Sequence, residues 1–140
     1  MYTEPYYENS DFSSTKADFE ELNKVKFVKC SFRSADFSDV FIHHCYFDTC
    51  DFTGCRLNSA MIKSSAFVNC SFRYANFFGT TLDDCKMTGS AFPSTSFTAF
   101  TILAGNWSYT VLIKFQRHRA SVILGQDFTM PRKRILISAI

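Results

Sequence analysis

Residues 30–54 read CSFRSADFSDVFIHHCYFDTCDFTG, and every fifth residue of this stretch, starting at Phe32, is large and apolar. The same step of five, begun at Phe27, reaches Leu112 without a break. An α-helix would repeat its apolar face about every 3.6 residues and a β-strand about every 2. A period of five fits neither element and requires a turn in every repeat. The eighteen residues at this step are Phe27, Phe32, Phe37, Ile42, Phe47, Phe52, Leu57, Ile62, Phe67, Phe72, Phe77, Leu82, Met87, Phe92, Phe97, Ile102, Trp107 and Leu112.

A second series lies two residues before the first and is small at nearly every step. One large and one small inward residue, followed by a corner, describe one side of a square coil. Four such sides make a coil of 20 residues. The small series is Val25, Cys30, Ala35, Val40, Cys45, Cys50, Cys55, Ala60, Ser65, Cys70, Ala75, Thr80, Cys85, Ser90, Thr95, Phe100, Gly105 and Thr110.

In such a coil, residues 20 apart stack on the same side and resemble each other more than residues five apart. The large residues separate in this way, because three of the four ladders are mainly aromatic and the fourth has no aromatic residue. The segregation predicts four sides per coil. The ladders are Phe32, Phe52, Phe72, Phe92; Phe27, Phe47, Phe67, Met87; Phe37, Leu57, Phe77, Phe97; and Leu22, Ile42, Ile62, Leu82, Ile102.

The segments CSFRSADFSD (30–39), CDFTG (50–54) and CSFRYANFFG (70–79) resemble the A(D/N)LXX consensus of the pentapeptide-repeat family, in its Phe- and Cys-rich form. The resemblance implies an all-β fold, a right-handed quadrilateral parallel β-helix of about five coils. We expect an N-terminal entry and imperfect first coil in residues 1–26, the regular β-helix in 27–112 and a non-repeat basic tail in 113–140.

All six cysteines occupy the small inward position, so we interpret them as buried thiols. His43 and His44 fall at outward positions after Ile42, pointing away from the interior where Cys45 lies. Metal ligands must converge on one point, so we expect neither a zinc site built on these residues nor any cofactor. Cys30, Cys50 and Cys70 stack within the Cα separation that a disulfide allows, but their side chains point in parallel and a cytosolic chain is kept reduced. Free thiols are therefore favoured.

No arrangement of catalytic residues emerges from the sequence. Asp83 and Asp84 are adjacent carboxylates at a corner of a convex rod, where no cleft raises a pKa or excludes water. Lys63 would stack between His43 and Asp83 as an ordinary cross-coil charge pair. We predict a non-enzymatic protein. Its candidate interaction surface consists of outward-facing residues, namely Phe41, Tyr46, Met61, Phe78, Asp83 and Asp84.

Charge is unevenly distributed along the chain. Residues 1–112 carry nine Lys and Arg against twelve Asp and Glu, whereas residues 113–140 carry six against one. The N-terminus lacks the basic and apolar regions of a signal peptide, and no apolar stretch is long enough to span a membrane. We expect a cytoplasmic protein.

The tail is a cap that packs Val122, Ile123 and Leu124, a flexible basic segment, or the product of a truncating frameshift. We favour the last because composition and register change together.

Two functions follow from the resemblance. One is that of the quinolone-resistance pentapeptide proteins, whose acidic rod mimics duplex DNA and binds DNA gyrase or topoisomerase IV. Such a protein needs a protein partner and binds neither nucleic acid nor membrane directly. The sequence is compatible with a homodimer. The alternative is a structural or scaffolding repeat protein with an unknown partner and no topoisomerase role. A regular column of acids would favour the first function, but Asp48, Asp83 and Asp84 are scattered among neutral and basic residues.

Overall fold

The structure is a computed structural model that describes residues 5–18 and 20–106 in full and the backbone of residues 122–129. Within these ranges no helix is long and apolar enough to cross a membrane. The strands are β1 (Tyr6–Glu8), β2 (Glu21–Asn23), β3 (Lys26–Val28), β4 (Phe41–His43), β5 (Tyr46–Asp48), β6 (Met61–Lys63), β7 (Ala66–Val68), β8 (Thr81–Asp83), β9 (Cys85–Lys86), β10 (Phe100–Asn106) and β11 (Val122–Thr129).

The strands are parallel and build two sides of a coil. On side A, β1, β3, β5, β7 and β9 pair in succession, and on side D, β2, β4, β6 and β8 do the same. Strand β10 pairs with both β8 and β9 and so joins these two sides. Side B, with the Phe32 ladder, and side C, with the Phe37 ladder, are linked by single bridges such as Ser31 to Asp51 and Asp36 to Arg56.

From β1 to β10, partner residues on all four sides are 20 positions apart, as in the pairing of Phe41 with Met61 and of Tyr46 with Ala66. The predicted four-sided coil of 20 residues is therefore confirmed. The chain winds into a β-solenoid of about five turns.

Stacked aromatic rings fill the interior. Every residue of the large series from Phe27 to Ile102 is buried, while Trp107 and Leu112 lie outside the described residues. The ring centroids of Phe32 and Phe52 lie 4.9 Å apart with their planes 8° from parallel. This separation is close to the spacing of neighbouring strands, about 4.8 Å. Rings of neighbouring sides meet edge to face, as Phe47 and Phe52 do at 5.3 Å and 71°, and both geometries are favourable for aromatic pairs.

The first coil begins before the regular series. Tyr7, Phe12 and Ala17 are partly buried against the core. The Tyr7 ring stacks on Phe27 at 5.4 Å, and the Phe12 ring stacks on Phe32 at 5.2 Å. The aromatic ladders therefore reach back into the segment expected to be an imperfect coil, where Phe19 lies outside the described residues.

A left-handed residue makes each corner. Two positions after each large residue, from Asn9 to Ala99, the backbone φ is positive, between 49° and 70°. Only three of these corners hold glycine, although a positive φ costs other residues on the order of 1–3 kcal/mol. Hydrogen bonds offset this cost, because the corner N–H groups donate to carbonyls of the following coil, as Ser34 donates to Thr53 at 2.8 Å. On sides B and C a second bond closes a tight turn, as between the Cys55 N–H and the Phe52 carbonyl at 3.0 Å.

The regular coil changes at its C-terminal end. Strand β10 runs straight through Ala104, where the repeat would place a corner, although it keeps its register with β8 and β9. Phe100 is a large, buried residue at a position that is small in earlier coils. Strand β11 then pairs in parallel with β10, Phe100 opposite Val122, with a register shift after Ile102. The rest of the tail lies outside the described residues. Its three interpretations stay predictions, and so do the expected region boundaries at residues 26 and 112.

Replacing Phe52 by alanine should lower the free energy of unfolding by about 3–5 kcal/mol, because the change removes a fully buried ring and leaves a cavity. Phe78→Ala is the matched control, since it removes the same ring from a side chain that is 49% exposed. Guanidinium unfolding followed by far-UV circular dichroism measures both, and Phe52→Leu provides a milder variant. Equal losses for Phe52→Ala and Phe78→Ala would contradict the stacked-ring core.

Gly54→Ala should lower the free energy of unfolding by about 1–2 kcal/mol through backbone strain. Gly54 has a φ of +69°, and an added Cβ would meet the Ser34 hydroxyl at 3.5 Å, an ordinary contact. Steric overlap therefore contributes little. Ser34→Ala is the control, because that corner already has a Cβ at a φ of 57°. Finding Gly54→Ala as stable as the parent protein would show that this corner is not held left-handed.

Candidate functional site

The six cysteines are free and buried, and most of their thiols bond to the backbone. The Cys45 thiol donates to the carbonyl of Leu22 at 3.4 Å, and the Cys85 thiol donates to that of Ile62 at 3.3 Å. Each of these bonds reaches the preceding coil. Hydroxyls at the same inward position do the same, as Ser90 Oγ donates to the Phe67 carbonyl at 2.7 Å. The small inward side chains therefore tie consecutive coils together.

Burial favours the thiol form at five of these six cysteines. It raises the pKa of Cys85 to about 12 and also raises the pKa values of Cys30, Cys45, Cys55 and Cys70, whereas a hydrogen bond with Cys70 lowers the pKa of Cys50. The thiolate is the form that attacks electrophiles and binds metals. These residues are therefore suited to packing rather than to reaction. In the part of the chain that the structure describes, no three His, Cys, Asp or Glu side chains are grouped so as to hold a metal ion.

Phe41 and Met61 of the candidate interaction surface form an apolar pair on side D. They lie directly opposite each other on β4 and β6, and Thr81 follows on β8. Met61 is 52% exposed, whereas Phe41 is partly buried and stacks on the His43 ring at a centroid distance of 4.3 Å. Asp83 lies in register with Lys63 on the same side, and Asp84 accepts a hydrogen bond from the Ser64 hydroxyl at 3.4 Å at the adjoining corner.

The other two members of the predicted surface lie elsewhere. Tyr46 is on side A, where the Lys26 ammonium lies 5.2 Å from its ring centroid and 6.0 Å from that of Tyr6. Phe78 is on side C, 49% exposed, next to the bridge of Asn76. The six residues therefore do not form one patch. Sequence reasoning missed the Tyr6, Lys26, Tyr46 column, although its spacing of 20 residues was visible.

Acidic side chains lie next to cations or histidine rather than in columns. Arg33 and Asp51 form an ion pair at 3.0 Å, and Glu21 hydrogen-bonds to His43. The pKa of Asp36 is lowered, first by hydrogen bonds from Ser38 and then, against partial burial, by Arg56 and Lys16. Because these acidic side chains have basic neighbours, the surface has a weaker negative potential than a column of acids would give.

An open groove of about 660 Å³ follows the corner between sides D and A and includes His44, Ser64 and Asp84 among its lining residues. These three are stacked in the order His, Ser, Asp, and the serine hydroxyl donates to the carboxylate. A nucleophilic triad needs the histidine between hydroxyl and acid so that it can accept the hydroxyl proton. The order seen here does not provide that relay.

The folded protein should resist thiol reagents. Because all six thiols are buried and the reagent cannot reach them, we expect no reaction with Ellman's reagent over minutes at mildly alkaline pH. All six thiols should react once guanidinium unfolds the chain. A thiol that reacts rapidly in the folded protein would contradict the structural role of the inward cysteines.

A family model described as the pentapeptide repeat region matches residues 20–97, more than half of the chain. Among solved structures, a pentapeptide-repeat protein, Rfr23, from the cyanobacterium Cyanothece 51142 is 12% identical, with 88% of this chain and 82% of that chain covered and a TM-score of 0.51. At this identity the likeness concerns the fold. No curated protein matches the chain.

Two further structures are similar at lower scores. QnrB1, a plasmid-mediated fluoroquinolone resistance protein, is 22% identical over 80% of this chain and 65% of its own, with a TM-score of 0.38. HetL, involved in heterocyst differentiation regulation in Nostoc sp. strain PCC 7120, is 14% identical over 80% of this chain and 62% of its own, with a TM-score of 0.32. The family match and the four-sided solenoid agree with each other. The chain belongs to the pentapeptide-repeat family.

Proposed function

We propose that this chain is a non-enzymatic protein-interaction module that presents side D of a rigid solenoid to a partner protein. The observation that supports it most directly is the outward apolar pair of Phe41 and Met61. The two side chains lie in register on adjacent strands, and Met61 is 52% exposed. Covering these two side chains removes apolar surface from water, which favours association.

The groups around this pair fit a protein surface. Lys63 and Asp83 lie in register on the same side, and Glu21 pairs with Phe41 across β2 and β4. The apolar centre is thus bordered by charges of both signs, an arrangement typical of protein interfaces. A partner with a small apolar projection and mixed charges around it would complement this side.

Three observations support a role without catalysis. The inward thiols are buried, and burial raises the pKa of five of the six, Cys45 and Cys85 among them. The His44, Ser64 and Asp84 column has the wrong order for a proton relay. The aromatic ladders and the small inward side chains pack together in the interior of the coil. The free thiols also support our placement of the protein in the cytoplasm, a reducing compartment.

The specific partner that we carry forward is DNA gyrase or topoisomerase IV. Its support is the Phe- and Cys-rich repeat and the excess of acids, twelve against nine Lys and Arg, in residues 1–112. The pairing of Asp51 with Arg33 and of Glu21 with His43 weakens the case for DNA mimicry. In this proposal a topoisomerase contact rests on the apolar pair of side D. A scaffold with another partner, bound through the same side, is the second candidate.

Met61→Asp tests the interaction surface, since it places a charge at the exposed centre of side D without touching the core. Phe78→Asp is the matched control on side C. If gyrase is the partner, the parent protein should inhibit supercoiling, or relieve inhibition by a fluoroquinolone. Met61→Asp should lose this effect by tenfold or more, and Phe78→Asp should keep it.

No effect of the folded parent protein on gyrase or topoisomerase IV would remove these partners and leave the scaffold. Affinity capture from a lysate, with Met61→Asp as the comparison bait, then tests side D itself. A partner captured equally by the parent protein and by Met61→Asp would contradict the proposed surface. Far-UV circular dichroism confirms that each variant is folded before it is used.

A further inference from the structure

Two adjacent histidines on side D bring ring nitrogens together. His43 Nδ1 and His44 Nδ1 lie 3.4 Å apart. The ring centroids are farther apart, at 5.4 Å, with the planes inclined by 64°. The two nitrogens are therefore on the sides of the rings that face each other. His44 is a left-handed corner, with a φ of 55°.

The His43 ring is held in place from two directions. Its Nε2 hydrogen-bonds to Glu21 Oε1 of the preceding coil. Its face stacks on the Phe41 ring at 4.3 Å and 7°, and only 15% of the His43 side chain is exposed. A carboxylate accepts the proton on Nε2, so the neutral ring presents a lone pair at Nδ1. Carboxylate contacts of this kind orient histidines that bind metals.

We propose that His43 and His44 form a surface site for one divalent transition-metal ion of the zinc class, with Glu21 as its orienting residue. Two nitrogens bound tetrahedrally to one zinc ion at about 2.0–2.1 Å lie about 3.3 Å apart. The observed separation fits this geometry better than that of ligands at right angles, about 2.9 Å apart, as in square-planar copper sites. Without a cation, a proton on His44 Nδ1 is needed to form a hydrogen bond to the lone pair of His43 Nδ1. If His44 Nδ1 carries no proton, the two Nδ1 lone pairs face and repel each other.

The proposal departs from the sequence-based expectation of no metal site, which rested on the failure of His43 and His44 to converge with the inward Cys45. Cysteine ligands play no part in it, because Cys45 points into the core while the two imidazoles lie on the surface. Among the described residues no third His, Cys, Asp or Glu joins the pair. Water or a partner protein would complete the coordination. Lys63, in register with His43, opposes cation binding, so the isolated protein should bind the ion weakly.

Zinc titration of the untagged full chain, by calorimetry and by long-range ¹H–¹⁵N NMR of the imidazoles, tests the proposal. We expect one ion per chain and shifts of Nδ1 in both His43 and His44, with Nε2 of His43 still carrying its proton. His43→Asn and His44→Asn should each weaken binding at least tenfold. Asparagine suits both positions, since Asn23 precedes His43 by one coil and Asn9 and Asn69 hold left-handed corners.

Glu21→Gln should weaken binding by about tenfold, as the loss of an orienting carboxylate does in other metal sites. His118→Asn, in the tail, is the matched control and should bind as the parent protein does. No binding, or binding that survives His43→Asn and His44→Asn, would overturn the proposal. A thiolate charge-transfer band on adding Co²⁺ would also overturn it, because it would place the ion on cysteine.

Discussion

The left-handed corner at every fifth residue is the constraint on which the rest of the structure depends. Each corner turns the chain by one side of the square, so that four corners return it to its starting position one strand spacing farther along. Most corners hold residues other than glycine, which adopt this backbone only at a cost. Hydrogen bonds to the next coil offset the cost, as between Ser34 and Thr53. No corner is stable alone, and the solenoid forms as a stack.

The interior follows from the same constraint. Two of every five side chains point inward, and coils at strand spacing place equivalent side chains almost in contact. Flat rings suit this geometry, because phenylalanines on successive coils stack at the separation that the backbone imposes, as Phe32 and Phe52 do. The second inward position, two residues before each ring, holds a small or medium-sized residue in every coil before Phe100. Cysteine, serine and threonine fill that space and also donate to a carbonyl of the preceding coil, as Cys85 and Ser90 do.

Outward positions other than the corners are free of these demands, and the function has to be sought on the outer surface. Substituting an outward residue that is not a corner leaves the ring stacks and the corner backbone in place, so the repeat carries little information about a partner. The register nevertheless organises the surface, since it converts a spacing of 20 residues into contact. Phe41 meets Met61 in this way, and Glu21 reaches His43 across one coil boundary.

The sequence alone determined the period, the four sides and the inward ladders, because a repeat of five leaves one arrangement in which Phe32, Phe52 and Phe72 all reach the core. It also placed the cysteines inside. Only the tertiary structure decided which outward residues meet. It separated Tyr46 and Phe78 from Phe41 and Met61, brought Lys26 between two tyrosines, and showed the chain running straight through Ala104. The physical reason is that burial of apolar side chains acts on every repeat in the same way and so appears as a pattern. Surface contacts depend on the rotamers and charges of individual neighbours, which become neighbours only when the coil closes.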